Sequence, residues 1–183
     1  MDWLIINEAE AEGLYLSMSS NDDRRAMKFG DRTVSTPAQI EHLRRFIEDI
    51  QGPPSSLSAS ARELVILLSA QPLLKETNIV CTLGANGVLA FIPMFHRPGT
   101  AHEAPSFIYL PAAKLQGEIR DSTGAGDCFT GYFVQGLMEF GPDAVVGKDI
   151  KELNIRQILK NCVYVSLSTV GVFRNVELTK FDF

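Results

Sequence analysis

The chain is poor in the residue types that mark disulfide-rich and metal-binding proteins. It has three cysteines and three histidines among 183 residues. Cys81, Cys128 and Cys162 are far apart, odd in number and each set in an apolar stretch, which predicts buried free thiols in a reducing compartment. No C-x-x-C pair or other metal-ligand spacing occurs. We therefore expect a cytoplasmic location, with the nucleus also open to the protein.

An excess of basic residues and long hydrophobic runs are also missing. The net charge is −5, and the sequence contains no run of basic residues. Both features argue against a nucleic-acid partner. No apolar run approaches the roughly 18 residues that span a bilayer, so we expect no membrane segment. The phosphate-loop pattern G-x-x-x-x-G-K-[ST] is absent, and Phe129 takes the place of the third glycine of a dinucleotide fingerprint.

The most informative feature that is present is the heptapeptide Asp121–Asp127. Apolar residues then recur at helical spacing, at Phe129, Phe133, Leu137 and Phe140. This pattern predicts a helix whose first turn contains Gly124, Ala125 and Gly126, where unpartnered N–H groups and the helix dipole favour an anion. The alternative is a tight glycine turn with Asp127 as a charge or cap at the helix start. The residues alone leave both interpretations open.

Elsewhere, short apolar strands alternate with amphipathic helices. This alternation, with Asn86-Gly87 as a hairpin signal, predicts an incomplete three-layer α/β/α sandwich with a hairpin at one edge. The predicted helices cover 36–50, 59–70, 124–140 and 155–170, with a short helix inside 7–16. The predicted strands are 3–6, 79–83, 88–92 and 107–110, with irregular or loop segments at 18–35, 53–56 and 95–106.

Three motifs together resemble those of the ribokinase-like sugar and nucleoside kinases, the PfkB family. Residues 121–131 match the signature D-[TS]-x-G-A-G-D-x-F-x-G throughout. Asn7 to Glu10 resembles the N-x-x-E motif, and Thr82-Leu83-Gly84 resembles the T-L-G motif of the nucleotide loop. Asn161 falls where the family often has an adenine-side Asn or His. The resemblance extends from about residue 2 to about residue 171 and implies a ribokinase-like fold.

The resemblance implies ATP-dependent phosphoryl transfer to a sugar or nucleoside hydroxyl, with ribose as the first expectation. Asp127 would be the base, and the backbone N–H groups of Gly124, Ala125 and Gly126 the anion hole. Glu10 would act on Mg²⁺ through water, and Asn7 would support it. Thr82 and Gly84 would line the nucleotide, and Asn161 would face the adenine. Asp121 and the Thr123 carbonyl would bind a monovalent cation, with K⁺ as the candidate.

Each of these residues also has a structural interpretation that the sequence leaves open. Glu10 belongs to an acidic helix start, where carboxylates complement the dipole in any case. Thr82 and Gly84 adjoin a hairpin turn that Asn86-Gly87 already explains. Asn161 could be an ordinary polar position on a mixed helix, and Asp121 could be a turn-forming residue.

The resemblance covers only the C-terminal, ATP-side part of the family, whose members run to about twice this length. Residues 1–183 are therefore expected to be part of a single ribokinase-like domain, with the 53–56 loop inside an insertion. A fragment, a short gene model and a degenerate relative all remain open. The alternative function is a non-catalytic nucleotide-binding fragment or interaction module, and a homodimer of the full-length form also stays open.

Overall fold

In a computed structural model, the described part of the chain contains both helices and strands. The structure describes residues 2–20, 37–48, 59–96, 103–112, 123–139 and 152–169. In chain order the elements are β1 (Trp3–Asn7), α1 (Glu8–Ser20), α2 (Pro37–Glu48), α3 (Ala59–Ser69), β2 (Asn78–Thr82), a 3₁₀ turn (Gly84–Asn86), β3 (Val88–His96), β4 (Glu103–Leu110), α4 (Ala125–Glu139) and α5 (Glu152–Thr169).

The four strands form one mixed sheet in the order β1-β2-β3-β4. β1 runs parallel to β2, whereas β2–β3 and β3–β4 are antiparallel. The predicted hairpin is the β2–β3 connection, and β4 extends it to three antiparallel strands. Strand β2 is buried along nearly its whole length, which fits its continuous apolar sequence and its place between two neighbours.

Helices cover both faces of this sheet. On one face a core cluster joins the sheet to α1, α2 and α3, through residues such as Ala11, Val65 and Leu68. On the other face a second cluster joins it to α4 and α5, through Phe133, Ile155 and Leu159. The expected three-layer α/β/α arrangement is therefore confirmed.

Strands β3 and β4 are longer than the sequence suggested. A loop was expected over 95–106, but β3 continues to His96 and β4 begins at Glu103. The pairing is irregular between Ile92 and Phe95, with Pro93 inside the irregular stretch. A bulge tolerates proline because the missing N–H is not needed in the ladder there. The proline therefore marks an irregularity within the strand and not its end.

Helix α1 is also longer than expected. A short helix ending near Leu16 and irregular chain from Met18 were predicted, but the helix extends to Ser20. Leu14, Tyr15 and Met18 are partly buried against the first core cluster, so packing sustains the helix through a sequence rich in serine.

Most other boundaries agree with expectation to within a few residues. Helix α2 begins at Pro37, the position at which a proline suits a first helical turn. Helix α3 ends at Ser69, shortly before Pro72. The 53–56 loop and the helix ends expected at 140 and 170 lie outside the described residues.

Candidate functional site

The parallel pairing of β1 and β2 brings two of the sequence motifs to one edge of the sheet. Asn7, the last residue of β1, lies opposite Thr82, the last residue of β2. Their motifs are 75 positions apart in the chain but begin on neighbouring strands. Ligands in open α/β sheets bind beyond the carboxyl ends of parallel strands, and this is the edge where both motifs lie.

Asn7 and Glu10 form a reciprocal capping box at the start of α1. The Glu10 amide donates to Oδ1 of Asn7, and the Asn7 amide donates to Oε2 of Glu10, both at 2.9 Å. This arrangement satisfies two backbone donors that a helix start leaves without partners. The N-x-x-E motif therefore caps the helix, a structural role beyond the dipole complementation expected from the sequence. The capping box fixes the Glu10 carboxylate beside the strand ends.

The acidic start of α1 influences the end of β2 electrostatically. Burial, together with the nearby carboxylates of Glu8 and Glu10, raises the pKa of the Cys81 thiol to about 12. Cys81 directly precedes Thr82, so both carboxylates lie within electrostatic range of the second motif. The edge of the sheet at β1 and β2 therefore carries negative charge on one side.

The T-L-G motif leads into a compact turn. Thr82 is half-buried, and its hydroxyl makes a long contact of 3.5 Å with the carbonyl of Ile6 on β1. Gly84 is exposed and has φ +54°, and a Cβ added there would meet no atom within 4 Å. The surface above Gly84 is consequently open for close approach by a ligand.

The GAGD segment forms the N-terminus of α4, as the sequence predicted. Gly124 adopts φ +80°, and its carbonyl accepts the first hydrogen bond of the helix from the Cys128 N–H at 2.9 Å. The N–H groups of Ala125, Gly126 and Asp127 precede that bond and so lack helical acceptors. Asp127 is exposed in this first turn, and Gly126 leaves open space where a side chain would stand.

Two phenylalanines anchor α4 to the sheet. Phe129 and Phe133 are buried in the second core cluster and lie one helical turn apart, with ring centroids at 6.3 Å. Phe133 meets Trp3, the first residue of β1, edge to face with centroids at 4.9 Å. The helix that bears Asp127 is thereby packed directly over the strand that leads into the N-x-x-E motif.

The other site residues predicted from the sequence fall in three situations. Asn161 is half-buried on α5, and its Oδ1 accepts a hydrogen bond from Nε2 of Gln157 within the same helix, at 2.9 Å. Thr123 is exposed in the turn before α4. Asp121 lies outside the described residues, so Thr123 is the one residue of the predicted cation site whose position the structure describes.

The donor groups at this edge suit magnesium held mainly by a nucleotide. Within the described ranges, no group of three or more His, Cys, Asp or Glu side chains could hold a metal ion. Mg²⁺ commonly takes one or two carboxylates and completes its shell with water and substrate phosphates. The single Glu10 carboxylate fits that mode and does not fit an all-protein cage.

A contribution of β4 to this region was not predicted from the sequence. Tyr109 donates its hydroxyl hydrogen to the carbonyl of Asn86, at 2.9 Å, across 23 positions of sequence. That contact depends on the register of β3 with β4, which places Leu89 opposite Tyr109. Only the Asn86-Gly87 turn signal could have pointed to the acceptor side.

Comparison with known proteins supports the fold. The chain is similar to the crystal structure of ribokinase from Cryptococcus neoformans var. grubii serotype A in complex with ADP, with a TM-score of 0.52 and 29% sequence identity. The fold is ribokinase-like. The similarity covers 91% of this chain and 36% of that chain, so the chain spans about a third of the length of that ribokinase. No protein-family model matches the chain, and no curated protein is similar to it in sequence.

In the parts of the chain that the structure describes, no helix is both long enough and apolar enough to cross a membrane.

Proposed function

We propose that this chain carries the nucleotide side of a kinase site and that the site transfers the γ-phosphoryl group of ATP to a sugar hydroxyl. The observation that supports this most directly is the pairing of Asn7 with Thr82, which unites the N-x-x-E and T-L-G motifs at one sheet edge. The structural neighbour at 29% identity is a ribokinase with ADP bound, which agrees with nucleotide binding by this fold.

The packing of α4 supports a place for Asp127 at the same edge. Phe133 lies over Trp3 at the start of β1, and Phe129 lies four residues, about 6 Å along the axis, closer to the N-terminus of α4. Phe129 remains buried among sheet residues such as Val80 and Val88. We infer that α4 runs antiparallel to β1, because that direction keeps Phe129 over the sheet. Its N-terminus then points toward the edge where β1 and β2 end.

In the proposed reaction Asp127 accepts the proton of the acceptor hydroxyl, whose oxygen attacks the γ-phosphorus. The bond from the γ-phosphorus to the bridging oxygen breaks, and ADP leaves. The backbone N–H groups at Gly124, Ala125 and Gly126 stabilise the charge on the transferring group. Phosphoryl transfer needs mainly positioning and charge neutralisation, and a small-residue helix start provides both.

The remaining residues bind and orient the nucleotide in this proposal. Glu10 would hold Mg²⁺ through water, with Asn7 fixing the carboxylate, and the ion would neutralise phosphate charge. Thr82 and Gly84 would line the nucleotide, and Asn161 would lie on the adenine side. The Thr123 carbonyl with Asp121 would take a monovalent cation such as K⁺.

The test separates binding from chemistry. We expect ADP to bind the wild-type chain in isothermal titration calorimetry. Asp127→Asn keeps the shape of the helix start but cannot act as a base. It should leave ADP affinity within about twofold while lowering phosphoryl transfer by about 10²- to 10⁴-fold. Transfer is measured as Mg-ATP consumption with ribose, fructose or adenosine. Full turnover by Asp127→Asn would reject Asp127 as the base.

A second candidate is a nucleotide-binding module without kinase activity. It is favoured by the coverage, since the chain corresponds to 36% of its structural neighbour. This candidate predicts ADP binding with no acceptor-dependent ATP consumption for the 183-residue chain. Turnover of any of the three acceptors by the wild-type chain, lost in Asp127→Asn, would exclude it.

A further inference from the structure

The turn that follows the T-L-G motif is held in place from a strand that contributes no motif residue. Tyr109 of β4 is 4% exposed, and its hydroxyl donates to the carbonyl of Asn86 at 2.9 Å. Asn86 is itself exposed at the end of the 3₁₀ turn. A buried side chain therefore fixes the last carbonyl of an otherwise exposed turn.

A second, independent contact fixes the same turn against β4. Gly87 has φ +97°, and a Cβ built there would lie 2.0 Å from the Leu110 carbonyl oxygen and 2.7 Å from the Ala112 nitrogen. The backbone after the turn thus lies directly on the chain that leaves β4. The Leu83 N–H closes the loop by donating to the Gly87 carbonyl at 2.8 Å.

The contacts from β4 hold Asn86 and Gly87 at one end of the turn, and Gly84 lies at the other end of the same three-residue turn. Residues Gly84, Ala85 and Asn86 are all exposed, and the turn's own hydrogen bonds are short-range. Without the contacts from β4, a short turn held only by its own hydrogen bonds would sample several conformations. If one of them binds nucleotide, the apparent dissociation constant rises in proportion as that conformation becomes less populated.

We propose that Tyr109 is a positioning residue for the nucleotide, holding the turn at Gly84–Asn86 in the conformation that binds ADP or ATP. This inference rests on the proposed function, because it assumes that Gly84 lines the nucleotide. Tyr109 acts through the Asn86 carbonyl and does not itself contact the ligand.

Tyr109→Phe tests the proposal, since it removes the hydroxyl and leaves the buried ring. We expect ADP to bind about 3- to 10-fold more weakly to Tyr109→Phe in calorimetry. Ser69→Ala is the matched control, because the buried Ser69 hydroxyl also donates to a backbone carbonyl, that of Ile66 at 2.8 Å, at the far end of α3. Its ADP affinity should stay within about twofold of the wild type.

A spectroscopic measurement separates positioning from a general loss of stability. In ¹H–¹⁵N spectra, Tyr109→Phe should shift the amide signals of Gly84 and Gly87, whereas Ser69→Ala should leave them in place. Unchanged ADP affinity in a folded Tyr109→Phe chain would overturn the inference, as would an equal loss in Ser69→Ala. A wild-type chain that fails to bind ADP would overturn the proposed function as well, so the two failures are distinguishable.

Discussion

At the scale of single residues, burial controls the chemistry of the cysteines. Cys81 on β2 and Cys162 on α5 are buried on opposite faces of the sheet, and Cys128 in the first turns of α4 is half-buried. The sequence predicted buried free thiols from their apolar surroundings, and this is confirmed for Cys81 and Cys162. Because the two lie in separate core clusters, they cannot pair within one folded chain.

The buried thiols predict a loss of stability in alkali. Burial raises the pKa of both Cys81 and Cys162 from 9.0 to about 12. A thiol whose folded pKa exceeds its unfolded pKa stabilises the fold fully below pH 9, and this contribution is lost as the pH rises toward 12. Each thiol should then lower the free energy of unfolding by about 1.4 kcal/mol per pH unit between these limits. Urea unfolding between pH 8 and 10.5 measures this slope.

Alanine variants provide the control for that slope. Cys81→Ala and Cys162→Ala will each lose stability at neutral pH, because a buried sulfur is removed. Their pH dependence should nevertheless be shallower than that of the wild type. If both variants keep the wild-type slope above pH 9, groups other than these thiols cause the alkaline destabilisation.

At the scale of elements, the start of α1 serves a structural role whether or not it also binds magnesium. Glu10→Gln preserves the capping box, because a glutamine side-chain oxygen can also accept a hydrogen bond from the Asn7 amide. Glu10→Ala removes the capping box. We expect Glu10→Ala to lower the free energy of unfolding by about 1 kcal/mol and Glu10→Gln to change it by less than about 0.5 kcal/mol.

The same pair of variants separates capping from a role in metal binding. If Glu10 acts on the magnesium shell, Glu10→Gln should weaken ADP binding in the presence of Mg²⁺ and leave binding without Mg²⁺ unchanged. Calorimetric titrations with and without the ion measure both. Equal ADP affinities for Glu10→Gln and the wild type in Mg²⁺ would assign the N-x-x-E motif of this chain to helix capping alone.

Helices α4 and α5 pack so closely that Gly136 has no room for a side chain. A Cβ at Gly136 would lie 2.9 Å from Cγ2 and 3.0 Å from Cγ1 of Ile158, which is 2% exposed and cannot move aside. Gly136→Ala should therefore destabilise the fold by about 1–3 kcal/mol, although alanine favours helix by up to about 1 kcal/mol. Urea denaturation measures the difference.

Gly131 on the same helix is the matched control. No atom lies within 4 Å of a Cβ there, so Gly131→Ala should stabilise the chain by about 0.5–1 kcal/mol. In the double variant Gly136→Ala/Ile158→Ala, the loss should be smaller than the sum of the single losses, since the clash disappears with the isoleucine. Additive losses would place the cause of the Gly136→Ala effect elsewhere.

At the scale of the whole molecule, the sequence predicted those features that depend on local chemistry. The small residues before an apolar stripe predicted a helix start at α4, which begins at Ala125. The run of apolar residues predicted β2. The extent of β3 and β4 was missed because the strands pair through a bulge at a proline, and propensity counts proline against a strand. Tyr109 was missed because its role depends on strand register, which no local pattern encodes.

The order of the sheet predicts an uneven distribution of stability across the molecule. Strand β2 is hydrogen-bonded to β1 on one side and to β3 on the other, and its first four residues are buried. Strand β1 has β2 as its single strand neighbour within the described residues, and Trp3 to Ile5 are only half-buried. Amides of β1 that point away from β2 should therefore open to solvent through smaller fluctuations.

Native-state hydrogen exchange, followed residue by residue in NMR spectra, tests this distribution. We expect the outward-pointing amides of β1 to exchange at least about 100-fold faster than those of β2, whose opening should approach global unfolding. Measuring at two protein concentrations controls for self-association, because a second copy paired along β1 would protect its amides only at the higher concentration. Equal protection of β1 and β2 at low concentration would show that the edge of β1 is covered within a single chain.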